Sequence, residues 1–438
     1  MIYRARYVLP VDDRIIENGE VLVSDGEIRA VGERLVDAHP DEAVTDLGNC
    51  ALLPGFVNAH SHVEYTSARN AVDALNLWDW IGAVGFNRTR LPDRRTLKPA
   101  AAFGAAKLMT SGVTCLGDSS FTGAAADALS ELGLRGIVYL EVFGQSAGDN
   151  YAQVFEKKLD DARRLQADCS RLVNVGISPH SIYTSNRGLL QLCAETYAEL
   201  DIPVAMHLAE TQAEVDYSLH GTGPIAAWRG GLGYEAMING MRPAAYLHAV
   251  GLLRRGVCLA HCVHLSAEEV ELLASSGAGI AHCSTSNAYL GCGIAPVVDL
   301  LQSGARVGIG TDGAASSPRL DFFEEMRFAL GIQRARAQDA SVLTANDMLK
   351  MATVGGARAL GLDDYIGTIE PGKRADLIAV DMKDAFETEN VCLAVLSRQP
   401  SDVRLVLVDG AEVVRDGRPV GADLDALSEA LKERLSGG

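Results

Sequence analysis

The sequence predicts an α/β protein: a (β/α)8 barrel of the TIM type, with a small β-sandwich assembled from both chain ends. Three observations lead there. Short apolar runs alternate with longer helical stretches through the middle of the chain. Both ends read as strands joined by tight turns. Histidines and acidic residues fall where the middle runs stop. The chain has 438 residues, too many for one simple core and suited to a large barrel beside a smaller domain.

Residues 1–54 form the first part of the sandwich, with Val21–Val31 as a hairpin about Asp25-Gly26. The barrel occupies 55–361. Its strands are expected at Gly55–His60, Val113–Asp118, Gly136–Glu141, Val173–Ser178, Val204–His207, Val257–His261, Ala278–His282 and Arg306–Asp312. Helices lie between them. Ser266–Ala274 is one, and Ser266 with Glu269 has the pattern of a capping box. Residues 362–438 complete the sandwich and end in a helix. There Ala375–Asp381 and Val403–Val414 are strand-like, and Asp409-Gly410 and Asp416-Gly417 are turns.

Hydrophobic residues make up 48% and charged residues 22%, an ordinary globular balance. A net charge of −18 without a Lys/Arg cluster argues against nucleic acid as a partner. No apolar run approaches the ~18 residues of a membrane helix, and the stretch from Met1 to Arg14 lacks the apolar segment of a secretion signal. Nine cysteines without dense spacing suggest reduced thiols and a cytoplasmic setting. Cys262 and Cys283 follow strand-end histidines and should face the helices rather than the barrel axis.

Barrel chemistry belongs at the C-terminal strand ends. His60 and His62 end strand one, and in an extended backbone they point to one face. One His-x-His is as readily structural as half of a metal site. Here His180 ends strand four, His207 strand five, His261 strand six, His282 strand seven and Asp312 strand eight. Glu210 lies three residues beyond His207. Ten histidines in the whole chain make that gathering hard to place by chance.

The segments Pro54–His62, His207–Glu210, Ala260–His264, His282–Asn287, Gly310–Asp312 and Gly367–Leu377 together resemble the amidohydrolase superfamily, in its cytosine-deaminase and adenosine-type deaminase branch. The resemblance implies one divalent metal on His60, His62, His207 and Asp312. Zn²⁺ suits that set, and Fe²⁺ or Mn²⁺ could use the same ligands. Strand four ends in Ser178-Pro-His-Ser181, without the lysine that bridges two metals in binuclear relatives. It also implies that Asp312 takes a proton from the nucleophilic water, that His261 holds that water and that Glu210 protonates a ring nitrogen.

The substrate-binding candidates are Glu64, His180, Trp80 and Asn287. Glu64 would share the face of His62 if the chain stays extended, and could then take ribose hydroxyls. Trp78 and Trp80 could wall an aromatic base. Asn58–Glu64, Ser178–His180 and Ser286–Pro296 resemble aminodeoxyfutalosine deaminases. Methylthioadenosine/S-adenosylhomocysteine deaminases share most of these motifs, with Arg-Gly where this chain has Arg69-Asn70. Either likeness implies hydrolysis at C6 of a 6-aminopurine nucleoside. Alternatives on the same scaffold are guanine or cytosine deamination and triazine amino- or chlorohydrolysis, and, from another class, a non-catalytic barrel. The expected partner is a small molecule, with a homo-oligomer left open.

Overall fold

The structure is a computed structural model that describes residues 1–86, 93–144, 150–200, 202–385 and 390–436. Eight parallel strands follow one another in chain order around a barrel. They are Phe56–Ser61, Val113–Ser120, Arg135–Val142, Val173–Pro179, Val204–Leu208, Val257–His261, Gly279–His282 and Arg306–Ile309. Asp312 N donates to His60 O at 3.0 Å, which draws the last strand's exit against the first. The expected barrel is present, strand for strand.

Alternating residues fill the lower interior. Val57, Ala59, Cys115, Ile137, Tyr139, Ala205, Cys258 and Ala281 form one apolar cluster with the helix Gly356–Leu360 beneath them. That helix enters the barrel mouth closely: a Cβ on Gly279 would lie 2.0 Å from Ala359 O. Ala205 and His207 point the same way on strand five, so the chemistry begins one layer above this plug. The capping box at Ser266 and Glu269 starts the helix Ala267–Ser276, as its sequence indicates.

The two chain ends form one sheet of nine strands, eight on a single path and the ninth, Val44–Asp46, paired beside Ile2–Val8 off that path. Leu377–Asp381 lies antiparallel between Cys50–Pro54 and Val403–Val408 and joins the halves. One face, with Val8, Val23, Ile28, Leu52, Leu377 and Leu407, makes its own core. The other, with Leu53, Ile378 and Val406, packs toward the barrel helices. The sheet curls so that its Asp25-Gly26 turn meets Asp409-Gly410, where Arg374 donates to Asp25 O at 3.3 Å and also pairs with Asp409. Arg135, at the foot of strand three, clamps Asp376 at 2.7 and 3.0 Å. Gly55 separates sheet from barrel, and a Cβ there would lie 2.2 Å from Thr114. Among the described residues no helix is long and apolar enough to cross a membrane.

Candidate active site

The turn after strand one is built by Asp118, whose Oδ2 accepts from Ser61 Oγ and from Val63 N, both at 2.8 Å. His62 Nδ1 donates to Ser119 O at 2.7 Å, and His207 Nδ1 to His180 O at 2.9 Å. Each bond fixes the proton on Nδ1 and leaves an Nε2 lone pair for the site. These two Nε2 atoms lie 3.1 Å apart. Among the described residues, His60 Nε2 is buried without a hydrogen-bond partner. Asp312 Oδ1 stands 3.8 Å from His60 Nε2 and 3.6 Å from His62 Nε2. Lone pairs converging in a buried place suit a cation between them, so the donor set fits one divalent metal.

Burial opposes ionisation of Asp312, yet the imidazoles of His62, His261 and His60 and the Ser286 hydroxyl hold its carboxyl well below the usual range. Its Oδ2 accepts from Ser286 Oγ at 2.5 Å and Ser316 Oγ at 2.9 Å. A second group of potential donors, Glu141, His180 and His207, adjoins the first. His207 has only Nε2 to offer, so the two groups compete for it, and the first has Asp312 beside it.

Strained backbone aims these groups. Ala209 (φ 49), His261 (φ 72), Cys262 (φ 49) and Asp312 (φ 59) are left-handed without being glycine. The turn at Ala209 brings Glu210 back over the strand end, where it lines the same cavity as His207 and Asp312. Burial pushes the Glu210 carboxyl up to about 7, against the pull of His207. Its backbone N–H is fixed by Glu214 Oε2 at 3.0 Å. His261 Nδ1 donates to Asn287 Oδ1 at 2.9 Å, which leaves its Nε2 as an acceptor. Cys262 and Cys283 are buried, Cys262 among the residues that pack the barrel on its helices.

The cavity above holds about 210 Å³ of water-accessible space. Leu77, Trp80, Ile81, Val84, Phe143 and Leu290 make its apolar wall, and Tyr65, Glu141, His180 and Thr184 its polar one. Trp80 is fixed by Nε1–H donation to Ala315 O at 3.1 Å. His180 sits on the wall with Nδ1 against Thr184 Oγ1 at 3.0 Å. Trp78 instead packs edge-on against Tyr183, ring centres 5.1 Å apart.

Two expectations are corrected. Glu64 does not share the face of His62. The chain leaves His62 into a 3₁₀ turn, Val63–Ala68, because Asp118 captures Val63 N–H. Fully buried, Glu64 accepts from Ser120 Oγ at 2.5 Å, Phe121 N at 3.0 Å, Thr122 N at 3.1 Å, Thr122 Oγ1 at 2.8 Å and Ala124 N at 2.8 Å. It caps the helix Ala124–Leu132 and has no place in the cavity. Asn287 does not line the cavity either: the helix Ser284–Tyr289 turns its Oδ1 onto His261. A further carboxylate that lines the cavity, beside Glu210 and Asp312, is Glu141, to which Tyr65 Oη donates at 3.3 Å. It lies at the end of strand three, so the strand-end rule that picks out Asp312 reaches it as well.

A barrel with imidazoles and carboxylates gathered at its C-terminal rim defines the class of barrel hydrolases. Residues 51–413 match the model of the Amidohydrolase family. The chain is 32% identical to the 5-methylthioadenosine/S-adenosylhomocysteine deaminase of Thermodesulfovibrio yellowstonii, over 97% of this chain and 96% of that protein. It is 34% identical to the protein of that name from Nitratidesulfovibrio vulgaris (strain DSM 19637 / Miyazaki F), over 96% and 92%. The chain belongs to the amidohydrolase family, and it is a hydrolase. Among solved structures, an adenosine deaminase of Xanthomonas campestris with bound zinc superposes with a TM-score of 0.87 at 28% identity, covering 99% of this chain and 97% of that one. Atrazine chlorohydrolase of Arthrobacter aurescens superposes at 0.85 with 23% identity, covering 99% of each chain, and shares the fold.

Proposed function

We propose that this chain is a zinc-dependent deaminase that releases ammonia from C6 of a 6-aminopurine nucleoside carrying a 5′ extension. The observation that carries the reading is the convergence of His60, His62, His207 and Asp312 under one cavity whose rim holds Glu210 and His261. The relatives named for methylthioadenosine and S-adenosylhomocysteine support the nucleoside and its extension. The zinc in the Xanthomonas structure supports the metal.

His60, His62, His207 and Asp312 would hold the metal, which when bound lowers the pKa of its water to about 7. His261 Nε2, an acceptor because Asn287 holds Nδ1–H, orients the attacking water by taking a hydrogen bond from it. Asp312, kept ionised by its imidazole neighbours, takes the water proton. Glu210, poised near neutrality, carries a proton to the ring nitrogen beside C6 and makes that carbon electrophilic. The water oxygen bonds to C6, Asp312 passes its proton to the amino nitrogen, the carbon–nitrogen bond breaks and ammonia leaves, and the proton of the new C6 hydroxyl returns to Glu210 as the product carbonyl forms. Trp80 and the apolar wall receive the purine face. Glu141 and His180 take the polar part of the nucleoside, the role expected of Glu64.

The test is ammonia release by zinc-loaded protein from adenosine, methylthioadenosine, S-adenosylhomocysteine, aminodeoxyfutalosine, guanine and cytosine, with release from a chlorotriazine followed as chloride. Turnover of an extended nucleoside well above every free base is the expected result. Guanine, cytosine or the triazine outpacing every adenosine derivative would refute the substrate and leave the metal site standing.

A further inference from the structure

The carboxylate of Glu210 has two oxygens, and the fold treats them differently. Oε1 lies 3.7 Å from Cys292 Sγ and 3.8 Å from His261 Nδ1. The His261 Nδ1–H is already committed to Asn287. Among the described residues, Cys292 is therefore the one side chain that donates to Glu210. Oε2 has no such donor among the described residues, and Glu210 lines the cavity.

Cys292 is held firmly. Its N–H donates to Asn287 O at 2.8 Å, and its carbonyl accepts from His264 Nε2 at 2.6 Å. Gly291 (φ 66) and Gly293 (φ 118) on either side supply the left-handed turns that present it. It is 4% exposed and packs with Leu77 and Leu290, two residues of the cavity wall. Burial and the nearby Glu210 charge push the thiol up, so it keeps the proton it donates.

We propose that Cys292 is a positioning residue for the reaction: its thiol donates to Oε1 of Glu210 and so turns Oε2 toward the substrate. This rests on the reading of Glu210 as the proton carrier. A thiol is a weak donor. It can fix the orientation of the carboxyl without the strong stabilisation of the ionised form that a hydroxyl or amide would bring.

Two substitutions separate positioning from packing. Cys292→Val fills the space and removes the donor; Cys292→Ser keeps a donor and loses apolar packing. Positioning predicts that Val lowers kcat by about tenfold or more with KM little changed, a loss of the size seen when a group orienting a reacting residue is removed. Ser should stay near the wild-type kcat and shift the pH profile to lower pH, because a hydroxyl favours ionised Glu210 more than a thiol does. A wild-type kcat in Val, or a Ser variant as impaired as Val, overturns the proposal. Infrared spectra give an arm that needs no substrate. The S–H stretching band that Cys292→Ser removes should move to higher frequency in Glu210→Ala, and a band that stays in place overturns the contact. If the wild-type protein deaminates no nucleoside, the functional reading fails while the infrared comparison still decides the thiol contact.

Discussion

Lowering the pH should unfold this protein partly through one residue, His282. It ends strand seven, is 1% exposed, and neither ring nitrogen has a partner among the described residues. Burial, with help from His261 and Arg336, pushes its pKa from 6.5 down to about 4. A depressed histidine favours the folded state above 6.5 and loses that contribution as pH falls, because the unfolded chain takes up the proton first. The loss ends below about 4, where both states are protonated. The shift of about 2.5 units corresponds to about 3 kcal/mol in full, of which about 2 kcal/mol should be gone between about pH 7 and pH 4.5. Urea unfolding of metal-free wild type and His282→Leu, at a series of pH values, isolates this part. The difference between the two proteins should close, or reverse in favour of Leu, by about 2 kcal/mol toward low pH. Parallel pH dependences would show that His282 is solvated or partnered and would refute the reasoning.

Three further outcomes follow from the site. Glu210→Gln should retain its metal by elemental analysis and lose about 10²–10⁴-fold in kcat, because the amide keeps the shape and carries no transferable proton; loss of the metal would make Glu210 a ligand. Chelation should abolish turnover, and zinc should restore it at one ion per chain, a stoichiometry of two sinking the single-site reading of His60, His62, His207 and Asp312. Glu64→Ala should lower stability in urea by about 3 kcal/mol or more, because five donor groups lose a buried acceptor, and should not act selectively on the KM of nucleosides over free bases.

The barrel was legible because its signals are local and repeated. Each strand is a short apolar run, and each of the strand-end residues His60, His62, His207, His261 and Asp312 lies where the run stops. Their convergence needed only the rule that such ends share one rim. Glu64 was misread because that rule was extended one turn too far. Whether the chain stays extended after His62 depends on Asp118, a residue more than fifty positions away that captures Val63 N–H. Asn287 was misassigned for a similar reason: the sequence places it near the site, while the pitch of the short helix Ser284–Tyr289 decides which neighbour its amide meets. Cys292 lies within the Ser286–Pro296 motif, but nothing in that motif links it to Glu210. A lone cysteine between two glycines says nothing of a carboxylate some eighty residues earlier.

The interleaving of the terminal sheet governs how the chain must be made. Cys50–Pro54 pairs on one side with Ile2–Val8, available almost at once, and on the other with Leu377–Asp381. During synthesis that second edge has no partner until the whole barrel has left the ribosome. Unpaired apolar strand edges recruit other chains. Leu52 and Leu53 stand on such an edge, directly before the strand that carries His60. Slowing translation across the barrel, or stopping it before Leu377, should therefore yield insoluble chains even where every catalytic residue has been made.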